Sequence, residues 1–221
     1  MYQTQLLIDD LDDQVLTSHN KKYKVKRILP KNTYDFILNI HYAKRIPPIS
    51  FAYGLYQKNK LIGIVTYGSP PSRSLCIGIA GEQYSKDILE LNRLCLKNNE
   101  KNQASILVSA SLKLIPKPKI IVSYADSSQN HVGFIYQATN FIYTGLSDKR
   151  KEWRKIDDKR HSKTISEKYS LIERKDNPDK FEHIDRPRKH RYVYVCSDKR
   201  YKKKFMKNIK YEIKSYPKFN R

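Results

Sequence analysis

Lys119–Gly145, KIIVSYADSSQNHVGFIYQATNFIYTG, is the stretch whose reading decides the fold. Lys119 to Tyr124 is a short apolar, β-branched run with the length of a buried strand. Asp126-Ser-Ser-Gln-Asn130 is a polar turn able to cap a helix, and Val132, Ile135 and Tyr136 follow at helical spacing. Asn140 closes that helix, and Phe141 to Gly145 reads as another strand. This order places Asp126 at the carboxyl end of a strand and Tyr136 on the helix after it. Open α/β sheets put their chemistry at such strand ends.

Upstream, Gln103 to Ile115 is the clearest helix: Ala104, Leu107, Val108, Ser111, Leu112 and Ile115 share one face, and Pro116 stops it. Before it, Ile88 to Leu96 reads as a strand in which Glu90, Asn92 and the leucines do not all suit one face, as in a strand lining a cleft. Phe51–Tyr56 and Leu61–Tyr67 flank Gln57–Lys60 as a β-hairpin. A loop at 68–74, held open by Pro70 and Pro71, and an irregular stretch from Gly78 to Tyr84 complete that region. Asn32 to Tyr42 carries Tyr34, Ile37, Leu38 and His41 on one face of a predicted amphipathic helix. Short strands are expected at Gln5–Ile8 and Tyr23–Leu29. Downstream, residues 148–185 have weak periodicity and read as an excursion that a ligand would order. His190–Cys196 is a further strand, and Lys199–Ile209 a strongly basic helix.

The chain of 221 residues carries 44 Lys and Arg against 22 Asp and Glu, a formal charge of +22. Residues 147–221 hold 26 of those cations against 12 acids. An AT-rich genome accounts for the 17 tyrosines, but not for a two-to-one excess of cations. Such a surface favours polyanions, meaning nucleic acid or an anionic membrane face. The three cysteines are isolated, which argues against a disulfide framework or a thiolate zinc site and fits a reducing compartment. No apolar run approaches the roughly twenty residues that span a bilayer, and the acidic start is no signal peptide. A soluble, intracellular protein without membrane contact is expected.

Two resemblances rest on these residues. The spacing Asn130, Gly133, Tyr136, Asn140, Phe141 resembles the last block of the GNAT acetyltransferase fold, with Gly133 standing for its alanine and Asn140 for its glycine. TYGSPPSRS (66–74), ELNRL (90–94), SYADSSQNHVGFIYQATNFIYTG (123–145) and RPRKHRYVY (186–194) together resemble the phage Mom family of DNA-modifying proteins. The implied fold is α+β: a GNAT-like mixed, mostly antiparallel sheet with helices on both faces. Residues 1–146 would form the core, and the basic part at 147–221 would complete the sheet and contact DNA. The implied activity adds a carbamoylmethyl group to the exocyclic amine of adenine, protecting phage DNA from restriction in the host cytoplasm.

Asp126 reads as a general base, a metal ligand or simply a helix cap. The resemblance places Asp126 and Tyr136 where the Mom family's required residues lie, the phenol suiting a general acid. Arg93 interrupts an apolar strand, where a guanidinium wants phosphate or an ion pair with Glu90 or Asp126. The glycine loop that cradles pyrophosphate in GNAT enzymes is replaced by Lys101–Ile106, leaving Asn102, Gln103 and Ser105 at a helix terminus. Arg93, Gln103, Ser105, Ser111 and Asn130 are thus the candidate binding set for acetyl-CoA or another acyl or glycyl donor. Ser111 also suits close packing. The resemblance further implies iron, with His41 and Tyr42 as candidate ligands and His131 and Asp126 as further options.

Double-stranded DNA is the expected partner, and a homodimer stays open. The target amine is tied up in base pairing, so the base must be flipped out. Arg73, Arg186, Arg188, Lys189, Arg191, Lys202 and Lys203 are the candidate DNA contacts, interleaved with tyrosines able to stack. Two competing readings are an ordinary N-acetyltransferase and a non-catalytic DNA-binding protein on the same scaffold.

Overall fold

The computed structural model describes residues 15–17, 22–158, 160 and 162–218; the strand expected at Gln5–Ile8 lies outside them. Among the described residues, eight strands form one sheet: β1 (Val15–Thr17), β2 (Lys24–Arg27), β3 (Phe51–Gln57), β4 (Lys60–Gly68), β5 (Ile88–Leu96), β6 (Lys119–Asp126), β7 (Ile142–Leu146) and β10 (Lys189–Cys196). Their order is β1-β2-β3-β4-β5-β6-β10-β7, so β10 from the basic third lies between β6 and β7. Only β5 and β6 pair in parallel; the other neighbours are antiparallel. This is the α+β sheet that the sequence implies.

Alternation along the strands sends side chains to two apolar layers. Tyr53, Val65, Ile121 and Tyr192 face α2 (Gln103–Leu114), with Leu107, Val108 and Leu112 of that helix packed on them. The short α3 (Phe134–Ala138) joins this face through Ile135 and Tyr136. On the other face Ile120, Val122, Val193 and Val195 pack against α1 (Arg73–Ala80) and α6 (Lys199–Asn208). Ala52, Ile64 and Cys95 pack against Phe36 and Ile37 on a third patch.

Three sequence expectations need correction. The helix expected over Asn32–Tyr42 is a 3-10 turn at Pro30–Thr33 followed by a π segment at Phe36–Ile40, closed by the His41 amide on the Phe36 carbonyl. Its buried face is Thr33, Phe36 and Ile37, whereas Tyr34 and Leu38 are exposed. The widened turn delivers His41 and Tyr42 outward instead of seating His41 in the core. Second, the loop at 68–74 ends in α1, whose first turn is capped by the Ser72 hydroxyl. Gly78 and the two prolines masked that helix, and Gly78–Tyr84 divides between α1 and a 3-10 helix at Glu82–Asp87. Third, residues 148–185 are not featureless. β8 (Arg150–Lys155) and β9 (Phe181–Arg186) pair as a second sheet, with α4 (Ser162–Lys168) and α5 (Leu171–Asp176) between them in the chain.

Candidate functional site

The site is built where the two parallel strands part. β5 and β6 pair over three positions, Ile88–Glu90 against Ile120–Val122. Beyond that point β5 stays with β4 and β6 stays with β10, and the Ser123 hydroxyl donates to the Leu91 carbonyl at 3.0 Å across the fork. A bulge at Asn92 shifts the β4–β5 register and explains why polar and apolar positions along 90–96 fail to alternate cleanly. Asn92 is held on both sides, accepting from the Thr66 hydroxyl and donating to the Pro48 carbonyl. The fork opens a cavity of about 810 Å³, into which Glu90, Tyr124, Asp126, Tyr136 and Lys189 project, with His41 and Tyr42 across from them.

Asp126 and Lys189 are direct cross-strand partners in the β6–β10 ladder, and their side chains form an ion pair of 2.6 Å at the cavity wall. The second carboxylate oxygen accepts from the Ser128 amide and hydroxyl, at 3.1 and 2.7 Å, and the Tyr42 phenol donates to the first at 3.5 Å. Burial pushes this carboxyl up, but Lys189 and Ser128 outweigh it and hold it below the ordinary range. Asp126 is therefore a cap and an ionised anchor near neutral pH. Replacing Lys189 by Met leaves this buried carboxylate without its counter-ion. The expected cost is roughly 3 kcal/mol, the low end for breaking a buried pair. The contribution is present above the ordinary carboxyl value of 3.8 and is lost as pH falls through the lowered folded value. Urea unfolding should thus show a wild-type advantage at neutral pH that shrinks in acid.

Tyr136 sits two residues into α3, packed against Tyr192 at 5.1 Å and Phe141 at 5.3 Å between ring centres. Burial raises its phenol to about 12 despite a hydrogen bond with Ser123, so it holds its proton at every physiological pH. The helix is positioned by Gly133, whose φ of 85° and ψ of 34° lie in the left-handed region. Asn140, at φ 60°, adopts the same kind of conformation at the other end. Asn tolerates it better than other side chains do, which accounts for its standing where the GNAT block has glycine.

Glu90 is the functional candidate that sequence reasoning named only as a cleft-lining polar residue. It is the last paired residue of β5 before the fork. Burial raises its carboxyl to about 7, against the pull of Arg93, Lys189 and Arg186. The available signal was its place in ELNRL, a charged residue at a position of a strand that otherwise packs.

The remaining candidates divide. Arg93 lines the cavity, but its guanidinium is spent on carbonyls, those of Arg45 (3.2 and 2.8 Å) and Asn92 (2.6 Å). It pairs with neither Glu90 nor Asp126; it ties down the segment that carries His41 and Tyr42. Asn130 lies on the cavity wall. Gln103 is 1% exposed and bridges Glu100 and Tyr23, Ser111 is fully buried against the Tyr67 hydroxyl, and the Ser105 hydroxyl turns back to the Asn102 carbonyl. Gln103 and Ser111 are packing residues, a correction to the binding set.

His41 and Tyr42 line the same cavity as Asp126 and His131, the further residues that the resemblance offered to a metal. Among the described residues no three His, Cys, Asp or Glu side chains are placed to hold one. The His41 Nδ1 accepts from the Ala43 amide, and both oxygens of Asp126 are engaged. Burial lowers His41 to about 4, so it is neutral, stacked on Tyr42 at 4.5 Å.

The DNA-contact set also changes. Arg191 is 5% exposed, lies 3.3 Å from the centre of the Tyr211 ring and donates to Thr144. Arg188 donates to the Ser147 and Leu146 carbonyls, and Lys189 belongs to the cavity. Alternation along β10 puts Lys189 and Arg191 on one face of the sheet, while Arg188, just before the strand, is held by backbone carbonyls at the end of β7. Arg73 is exposed and Arg186 half-buried, facing Glu82 and Glu152 respectively, while Lys202 and Lys203 are exposed on α6.

The methylcarbamoylase mom of Escherichia phage Mu is 25% identical over 148 residues, covering 64% of this chain and 61% of that protein. The chain thus spans about three fifths of the length of that relative. Among solved structures, Arabidopsis thaliana NAA60 in complex with acetyl-CoA is 14% identical, with a TM-score of 0.47 over 78% of this chain and 98% of that one. A GNAT-family acetyltransferase from Bacillus cereus is 13% identical, with a TM-score of 0.41 over 78% and 96%. The model of the Mom protein family matches residues 22–218, nearly the whole described chain, and the chain belongs to that family.

Proposed function

We propose that this protein is a DNA-modifying transferase that joins a carbamoylmethyl group to the exocyclic amine of adenine in duplex DNA. Beside family membership, one observation carries the reading. The fork between β5 and β6 brings a carboxyl titrating near 7 and a phenol that keeps its proton to one cavity. Joining the amine to an electrophilic carbon forms one N–C bond and frees one proton from nitrogen. The bond to the departing group breaks and leaves it an electron pair. Glu90 takes the proton and Tyr136 returns one to the departing atom. The Asp126–Lys189 pair fixes the wall between them and orients Tyr42. No step is assigned to iron. The donor is assigned to the arm of the cavity lined by Leu96, Asn99 and Ala104, next to the amino terminus of α2. It must carry its leaving group on the methylene carbon of the carbamoylmethyl unit, because acetyl-CoA or any carrier attacked at its carbonyl would yield an amide instead.

An extruded purine needs an aromatic face. Phe134 is 57% exposed while lining the cavity, and it stands two residues before Tyr136. Phe134→Ala should weaken the concentration dependence of modification by roughly 10- to 100-fold, the worth of one stacked base. The maximal rate should change far less, and Phe134→Tyr should restore the affinity. An equal loss of maximal rate would place Phe134 in the chemistry instead.

The reading is tested by expressing the chain in a bacterium and analysing plasmid nucleosides by mass spectrometry. The expected result is an adenine adduct heavier by a carbamoylmethyl group. Unmodified adenine in cells that make folded wild-type protein overturns it.

A further inference from the structure

The structure moves the cationic character of the carboxyl-terminal third from the strand to a helix. The outward side of α6 and its continuation carries Lys199, Arg200, Lys202, Lys203, Lys204, Lys207 and Lys210, all exposed. None of them takes part in an ion pair among the described residues. The one acid in the helix's first turn region, Asp198, is its amino-terminal cap, accepting from the Tyr201 amide at 2.7 Å. The opposite side is fixed to the sheet by fully buried Phe205, by Tyr201 on Asp87 at 2.6 Å and by edge contacts of Tyr84 with both rings.

The helix is therefore held rigidly while its cations are held apart from acids. Like charges this dense repel one another, and a solvated face needs no such density. The direction of the helix matters as well. After Asn208 the chain bonds to the Ile79 carbonyl through Lys210 and reaches Tyr211, which covers Arg191 and neighbours Tyr124. Tyr124 is a wall of the fork cavity. The row of cations thus leads to the site.

We propose that the exposed face of α6 is a rail for the phosphate backbone of duplex DNA, gripping it without regard to sequence and leading it to the cavity. This rests on the reading of DNA as substrate. A ten-residue helix is about 15 Å long, and a duplex carries a negative charge per roughly 1.7 Å of axis. The rail therefore matches several consecutive phosphates with little adjustment. Arg188, Lys189 and Arg191, spent inside the fold, contribute nothing to it.

The test compares wild type with a variant in which Lys199, Arg200, Lys203 and Lys207 are all replaced by Gln, a change that keeps helix propensity. Affinity for a duplex of random sequence is measured by fluorescence anisotropy against salt concentration, alongside the thermal midpoint. Removing four phosphate contacts should flatten the logarithmic salt slope by about 3 to 4 and weaken binding roughly 10- to 100-fold near 0.1 M salt. Arg191→Gln serves as the contrast: it should lower the midpoint and leave the slope alone. A quadruple variant that keeps the wild-type slope removes the rail while leaving the DNA reading intact. Wild type with no salt-dependent affinity for duplex, or with preference for anionic vesicles over it, removes both. If single-stranded RNA binds with the same slope and higher affinity than duplex, the rail is a polyanion surface of another kind and the proposal fails.

Discussion

Glu90→Gln is expected to lower the rate of adenine modification by roughly 100- to 10,000-fold, the usual worth of a positioned general base. The same substitution is expected to make the protein more stable at alkaline pH. Both effects come from one cause. Burial at the fork raises the carboxyl from 4.5 to about 7, with Arg93, Lys189 and Arg186 pulling against it. Between those two values the folded protein keeps a proton that the unfolded chain has released. Folding stability from this group is therefore full at the acid end and falls as pH rises through that window. Above about 7 the folded state carries an ionised carboxylate where burial disfavours it. Gln removes that penalty at nearly the same volume, for a gain of roughly 1–3 kcal/mol at alkaline pH and almost none in acid. For activity the sign is opposite. The base must be ionised, so the wild-type rate should climb with pH and level off above about 7, and this limb should vanish in the Gln variant. Single-turnover rates and urea midpoints across that range check both halves. A variant that loses rate but keeps the pH limb would place the base elsewhere.

Gly133→Ala should destabilise the fold by roughly 2–5 kcal/mol and cut activity more than tenfold. A non-glycine residue in the left-handed region costs about 1–2 kcal/mol. The new Cβ would also lie 2.7 Å from the Tyr192 Cζ and 2.8 Å from its hydroxyl oxygen, for which overpacking costs about 1–3 kcal/mol more. The ring cannot retreat. Tyr192 is fully buried, donates to the Val132 carbonyl, receives Gln137 and packs on Tyr136 and Tyr143. Any movement of α3 displaces Tyr136, so stability and activity fall together. Calorimetry should show a midpoint lowered by roughly 10 °C for a chain of this size. A normal midpoint with unchanged activity would mean that Tyr192 does not set the height of the helix.

Much of this was legible in the sequence because local and global preferences agree. The run at 119–145 names its own strand, elbow, helix and strand, and α2 has one continuous buried face. Asp126 could be singled out from its place at the elbow, and Tyr136 from the resemblance of its block to the GNAT and Mom families. What stayed hidden depends on pairings distant in sequence. Lys189 looks like a DNA contact until β10 is seated beside β6, which makes it the counter-ion of Asp126. Arg191 and Ser111 become packing residues only when Tyr211 and Tyr67 arrive against them. Glu90 could not be ranked above its neighbours without the bulge at Asn92 and the parting of β5 from β6. The π segment at Phe36–Ile40 defeated a helical pattern because its buried face is offset by one residue from the pattern that periodicity favoured.

The central claim is that the fork cavity performs the modification. Its most direct test is the yield of modified adenine in plasmid DNA, by nucleoside mass spectrometry, for Tyr136→Phe beside Arg73→Gln. The first removes only the phenol hydroxyl inside the fork; the second alters an exposed residue outside it. Adduct should drop at least a hundredfold with Tyr136→Phe and remain near wild type with Arg73→Gln. Folded Tyr136→Phe protein with the wild-type yield of adduct would contradict the account.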